Sequence, residues 1–278
     1  MNETVTGRAR PEPDRGGAIP KKRRPKGKVK DKRIEGTGES GGKEIVIIGA
    51  GGFGREVKWL IERINEAQGR QPPATRKSQG DFWDNNRDCP DNWNLLGFVD
   101  DGLEAGSRVA GSPVLGGTEW LCRRAGQETL YAACAIGSGR VRRQITERLL
   151  QHGNVRFPNL VDPSAACSGS VRMGRGNILC AGTVLTVDIT LGDFCIVNLD
   201  CTIGHDARLE SYVTLYPSVN LSGCVSVGEG SEIGTGSHVI QGIAIGKEAV
   251  LGAGAVGIRD LPDRCVAVGN PAKVIKYS

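Results

Sequence analysis

From Val161 onward one residue in six is apolar, and the register does not slip. The series runs Val161, Cys167, Met173, Leu179, Leu185, Leu191, Val197, Ile203, Leu209, Leu215, Leu221, Val227, Ile233, Val239, Ile245 and Leu251. The residue after this position is often glycine, as at Gly174, Gly192, Gly204, Gly228, Gly234, Gly246 and Gly252. The fifth position of each hexad is small or β-branched, as at Ala165, Val171, Thr183, Cys195, Ala207, Val213, Val219, Ala249 and Ala255. A fixed short period means stacked, equivalent units. Six residues that include a turn build one flat face of a solenoid, and three faces close an 18-residue triangular coil. The series therefore predicts a little more than five coils of a parallel β-helix.

The pattern upstream is different. Glu44–Ile48 reads as a short, β-branched strand, followed at once by Gly49-Ala50-Gly51-Gly52-Phe53-Gly54. Arg55–Ile64 then carries Val57, Leu60, Ile61 and Ile64 at helical spacing. Strand, glycine turn and helix together present unpaired helix N–H groups to a phosphate. Gln68–Asn92 is polar and proline-bearing and reads as an insertion loop. A second strand, Asn94–Val99, ends in Asp100-Asp101, acids placed to hold ribose or sugar hydroxyls, or alternatively to serve as turn carboxylates. A third strand, Thr129–Ile136, leads through Gly137-Ser138-Gly139 into a helix over Arg140–Gln151 with basic residues Arg140, Arg142 and Arg143. The expected architecture is an α/β, Rossmann-like domain over residues 44–158, followed by an all-β, hexapeptide-repeat β-helix over residues 159–278. About one hundred residues of α/β structure are too few for a full dehydrogenase, and nothing after residue 160 looks like a hydride-transfer domain.

Composition supports this division. The chain has 278 residues with 41 glycines, and aromatics make up only 5%, as a narrow aliphatic prism requires. Residues 1–43 hold thirteen Lys and Arg against six Asp and Glu, a net +7, so the remainder carries −2 of the overall +5. That segment is nearly empty of large apolar residues and is expected to be a disordered basic extension. Its Lys21–Lys28 run has the charge to meet nucleic acid or an anionic membrane, but with no interleaved aromatics to stack on bases the solvated-tail reading is preferred and nucleic acid is not an expected partner. The nine cysteines are odd in number and form no C-x-x-C pair, which favours reduced thiols in a cytoplasmic protein. No apolar run approaches the roughly 20 residues of a membrane span.

Three histidines exist, and His205 in Ile203-Gly204-His205-Asp206 lies at an outward hexad position. His152 lies outside the repeat, and His238 falls beside an expected corner. Gly223 comes 18 residues after His205, one coil further, about 4.8 Å away. An imidazole with an adjacent carboxylate can take a proton while a glycine amide meets a developing oxyanion. A zinc site on this fold would need three converging histidines and is not expected. The cysteines at hexad positions read as packing residues, with none beside a histidine in sequence.

The glycine turn, Asp100-Asp101, the hexads, Ile203–Asp206, Ser222-Gly223 and the closing segment Val268-Gly269-Asn270-Pro271-Ala272-Lys273-Val274 occur in one order. Together they resemble the left-handed β-helix acetyltransferases that modify sialic acid hydroxyls or bacterial nucleotide-linked amino sugars. The resemblance covers about residues 44–276. It implies acetyl-CoA as acyl donor, no metal, and direct transfer to the amine of a nucleotide sugar. In that reading His205 is the general base, Asp206 its acidic helper, and Gly223 the donor to the thioester oxygen. Gly51, Gly52, Phe53, Asp100, Asp101, Gly137 and Arg140 would hold the nucleotide sugar, and Thr214, Thr235 and Ala253 would line the acetyl-CoA cleft. A homotrimer with the cofactor between neighbouring prisms is implied as well. Many members carry a second histidine where this chain has Thr214, and a histidine where it has Phe53. O-acetylation of a sugar hydroxyl and a non-catalytic scaffold are the alternatives.

Overall fold

The computed structural model describes residues 42–70 and 92–277. The basic extension, apart from Gly42 and Lys43, and residues 71–91 of the expected insertion lie outside the described residues.

The first part is a six-stranded sheet. Strand β1 (Lys43–Ile48) lies at its centre, and its last four residues are buried. It pairs in parallel with β2 (Trp93–Val99) on one side and β5 (Leu130–Cys134) on the other. The sheet continues outward from β2 to β4 (Ser112–Gly116) and β3 (Arg108–Val109), and from β5 to β6 (Val155–Arg156). Helix α1 (Gly52–Arg70) follows the glycine turn, α2 (Thr118–Ala125) follows β4, and α3 (Gly139–Leu150) follows β5. The β3–β4 hairpin, α2 and β6 are absent from the sequence reading, because segments of two to eight residues are too short to display a period. Glycine is required at position 54, where a Cβ would stand 2.0 Å from the Gly49 carbonyl oxygen.

The second part is the triangular coil. Sixteen two-residue strands run from β7 (Leu160–Val161) to β22 (Val250–Leu251), each ending on an apolar hexad position. Every third strand pairs in parallel, 18 residues on: Leu179 stands beside Val161 and Val197, and Ile203 beside Leu185 and Leu221. Three faces result. The first carries Val161, Leu179, Val197, Leu215, Ile233 and Leu251. The second carries Cys167, Leu185, Ile203, Leu221 and Val239 and ends in β23 (Val256–Gly257). The third carries Met173, Leu191, Leu209, Val227 and Ile245. These side chains share one aliphatic core with the fifth-position residues. Polar fifth-position side chains donate to a carbonyl fifteen residues later: Cys195 Sγ to Glu210 O (3.1 Å), Cys201 Sγ to Tyr216 O (3.1 Å), Ser231 Oγ to Gly246 O (2.6 Å) and Ser237 Oγ to Gly252 O (2.8 Å). Antiparallel strands β24 (Cys265–Val268) and β25 (Lys273–Tyr277) close the first face.

A second period of six accompanies the first. Asp188, Phe194, Asp200, Asp206, Tyr212, Ser218 and Cys224 all have positive φ, between 56° and 64°, and Gly230, Gly236 and Gly242 continue the series. Each such non-glycine residue costs roughly 1–2 kcal/mol, which stacking along the coil offsets. His238 lies within a two-residue strand on the second face, rather than beside a corner as its sequence position suggested.

The two parts share their cores. Leu160, Ile178 and Ile196, on the outside of the first face, pack in one cluster with Ile45, Ile47, Leu60, Ile61 and Phe98. Arg63 of α1 makes a bidentate pair with the buried Asp162 (2.6 and 2.9 Å). Arg142 of α3 is 1% exposed and donates to the carbonyls of Ile136, Gly137, Phe194 and Tyr212. Burial lowers its pKa from the ordinary arginine value.

Candidate active site

His205 follows the second-face strand that ends in Ile203, at the corner leading to the third face. Its side chain is 50% exposed, and Nδ1 lies 2.8 Å from Asp206 Oδ2. With the Nδ1 proton directed at the carboxylate, the Nε2 lone pair is the one left to accept a proton. Gly223 lies against the ring, one coil further. A Cβ at Gly223 would stand 2.4 Å from His205 Nε2 and 2.5 Å from Cε1. The glycine therefore exists to admit the imidazole, and the contact anticipated from the 18-residue spacing is present.

Cys224 belongs to this cluster as well. It follows Gly223, stacks 18 residues beyond Asp206, and is exposed. Its sulfur, a His205 ring nitrogen and an Asp206 carboxylate oxygen all lie within 4.8 Å of one another. Sequence adjacency missed this thiol, whereas adding 18 to Asp206 finds it. The buried and half-buried cysteines behave as packing residues. Burial pushes the Cys134, Cys180 and Cys195 thiols up to about 12, and Cys167 and Cys201 up to about 11.

The expected sugar-binding residues gather at the C-terminal ends of β1, β2 and β5. Gly51 and Gly52 are exposed at the start of α1, and Phe53 is half-buried against the shared core. Asp100 accepts from the Ala50 amide through Oδ2 and from the Gly102 amide through Oδ1, both at 2.9 Å, and so ties the glycine turn to the end of β2. Asp101 serves here as the turn carboxylate of the alternative reading. Its carboxylate accepts from the Thr118 amide (2.6 Å) and hydroxyl (2.8 Å), which satisfies the first turn of α2, a helix the sequence reading had not placed. The Gly137 carbonyl accepts from Arg142 and Thr214, and Arg140 is exposed in the first turn of α3.

The expected acetyl-CoA residues separate. Thr235 and Ala253 are exposed and stack 18 residues apart, at the corner between the first and second faces. Thr214 is only 1% exposed, and its hydroxyl donates to Gly137 O (2.8 Å) and accepts from Arg142 (3.0 Å). It is part of the joint between the two parts and has no surface to offer a cofactor. Within one chain, His205 and Thr235 stand at opposite edges of the second face. An open groove of about 690 Å³ over the third face is lined by Arg208, Glu210, Glu229, Lys247 and Asp263, and holds neither His205 nor Thr235.

Comparison with known proteins agrees with this architecture. Residues 84–149 match the PglD N-terminal domain family. The chain is 28% identical over 239 residues to the GDP-perosamine N-acetyltransferase of Escherichia coli O157:H7, covering 84% of this chain and 96% of that protein. The crystal structure of PerB from Caulobacter crescentus, in complex with CoA and GDP-perosamine, superposes with a TM-score of 0.69 at 33% identity, over 85% of this chain and 99% of PerB. The chain belongs to the hexapeptide-repeat family of nucleotide-amino-sugar acetyltransferases. The acetyltransferase domain of PglB from Neisseria gonorrhoeae FA1090, in complex with acetyl coenzyme A, is likewise 33% identical with a TM-score of 0.67, covering 84% of this chain and all of that domain. The fold is accordingly the family's Rossmann-like α/β domain followed by a left-handed parallel β-helix. Among the described residues, no helix of this family member is long and apolar enough to cross a membrane.

Proposed function

We propose that this protein transfers the acetyl group of acetyl-CoA to the amine of a nucleotide-linked amino sugar. The observation that carries the reading is the His205–Asp206 pair set against Gly223, on a chain whose relatives are named for that chemistry. Asp206 holds the imidazole with Nε2 outward. Nε2 takes the proton from the attacking sugar nitrogen as it adds to the thioester carbonyl. The Gly223 amide is the donor assigned to the developing oxyanion, and collapse expels CoA as its thiol. No acyl-enzyme is formed. The glycine turn, steadied by Asp100, meets the nucleotide's phosphates, with Arg140 nearby.

The reading includes a homotrimer. Val184, Val187, Ile240 and Ile258 are exposed on or beside the second face. Threefold closure about that face would set the Thr235–Ala253 corner of one copy against the His205 corner of the next. Each acetyl-CoA would then lie between two prisms, in a cytoplasmic enzyme. Transfer to a hydroxyl remains the second reading, because the same base and oxyanion donor serve an alcohol.

Thermal shift against a panel of nucleotide sugars tests the acceptor class, since a ligand that binds the native state raises the midpoint. A GDP- or UDP-linked amino sugar should raise Tm more than its hydroxyl counterpart. Equal shifts for both would oppose the amine assignment.

A further inference from the structure

We propose that His205, Asp206 and Cys224 form a binding site for a thiophilic divalent cation of the zinc class, and that the bound ion withdraws His205 from acetyl transfer. The repeat builds the site. Asp206 and Cys224 occupy the same corner position on successive coils, with φ of 59° and 58°, so their side chains leave the backbone in the same direction. His205 precedes Asp206 and is in contact with it. The three donor atoms already lie within 4.8 Å of one another. Around a tetrahedral ion with metal–ligand bonds of about 2.0–2.3 Å, donors stand about 3.3–3.8 Å apart. All three side chains are exposed, so bringing the sulfur in by up to about 1 Å while the 2.8 Å His205–Asp206 pair opens slightly is a matter of rotamers and leaves the coil backbone in place.

The donor set selects the ion. One imidazole, one carboxylate and one thiolate suit zinc, cobalt or cadmium, and disfavour magnesium and calcium, which take oxygen donors. Three protein donors leave a fourth position open to water. The thiol loses its proton on binding, so the ion is held more tightly as pH rises. The buried thiols described above are held protonated by their surroundings and do not compete. Loss of turnover on binding rests on the reading of His205 as the base, whereas the site itself does not.

Cobalt(II) is the probe. Titrating the full chain, purified free of chelator, should give one equivalent of binding with a thiolate-to-cobalt charge-transfer band in the near ultraviolet. Cys224→Ser removes a direct ligand, so it should abolish the band and weaken binding by more than the roughly 10–100-fold lost with an outer-shell partner, and its own metal-free turnover is the reference against which its inhibition is read. Zinc should inhibit the wild-type enzyme reversibly, with chelator restoring turnover, and should inhibit Cys224→Ser only at correspondingly higher concentration. Absence of the band, or equal zinc affinity in both proteins, overturns the site. A band that depends on Cys224 without any inhibition overturns the regulatory half, and counts against His205 as the base while leaving the metal site standing.

Discussion

At the scale of single residues, two glycines on neighbouring coils separate chemistry from folding. The three atoms nearest a Cβ at Gly223 all belong to the His205 ring, a side chain that can swing away. A Cβ at Gly204 meets backbone, 2.5 Å from the Gly223 nitrogen and 2.7 Å from the Ser222 carbonyl carbon. Gly223→Ala keeps its backbone amide but pushes the His205 ring aside, so it should fold with nearly unchanged Tm and lose kcat by on the order of 10²-fold or more through the misplaced base, whereas Gly204→Ala should lower Tm and yield poorly folded protein. Circular dichroism melts beside steady-state kinetics check both. The His205–Gly223 contact was legible because a period of 18 turns sequence distance into spatial adjacency. The particular partners of Asp101 and Thr214 were not legible. Each is committed to a partner far along the chain, Thr118 for the first and Gly137 and Arg142 for the second, and neither partnership leaves a periodic trace.

At the scale of elements, the joint between the sheet and the coil rests on two arginines. Replacing Arg142 with Met leaves the carbonyls of Phe194 and Tyr212 buried without a donor. At roughly 1–3 kcal/mol for each of these two orphaned groups, the variant should lose about 2–6 kcal/mol in denaturant melts. Arg63 is 32% exposed on its side chain, and its partner Asp162 only 1%. Burial pushes the Asp162 carboxyl up, but the bonds from Arg63 and Ser164 outweigh burial and hold it below the usual carboxylate range. The stability this contributes is fully present above the unfolded carboxylate pKa of about 3.9, and is lost as pH falls through the lower folded value. Arg63→Met should thus cost about 1–3 kcal/mol at pH 7, and the gap from wild type should shrink below about pH 4. A constant gap from pH 7 to pH 3 would show that the pair contributes through packing alone. The coil was legible as an element because its register never slips. The hairpin β3–β4 and helix α2 were not, because their two to eight residues take their form from tertiary partners.

At the scale of the whole molecule, the separation of His205 from Thr235 within one chain makes assembly the decisive issue. Light scattering should report a trimer. A sharper check uses two inactive variants, His205→Ala and Ala253→Trp, co-refolded or co-expressed. If each site draws one corner from each of two copies, mixed trimers regain measurable turnover; if one chain holds a complete site, they do not. Deleting residues 1–41 should leave folding and transfer intact, because β1 begins at Lys43.

The most direct test of the account is the position of the acetyl group in the product. The full chain is incubated with acetyl-CoA and GDP- and UDP-linked amino sugars, and the product is resolved by mass spectrometry and NMR. Acetyl is expected on the sugar nitrogen. His205→Ala should lower kcat by on the order of 10²–10⁴ with acetyl-CoA binding retained. An O-acetylated product, wild-type turnover by His205→Ala, or an acetyl group trapped on a cysteine would contradict the account.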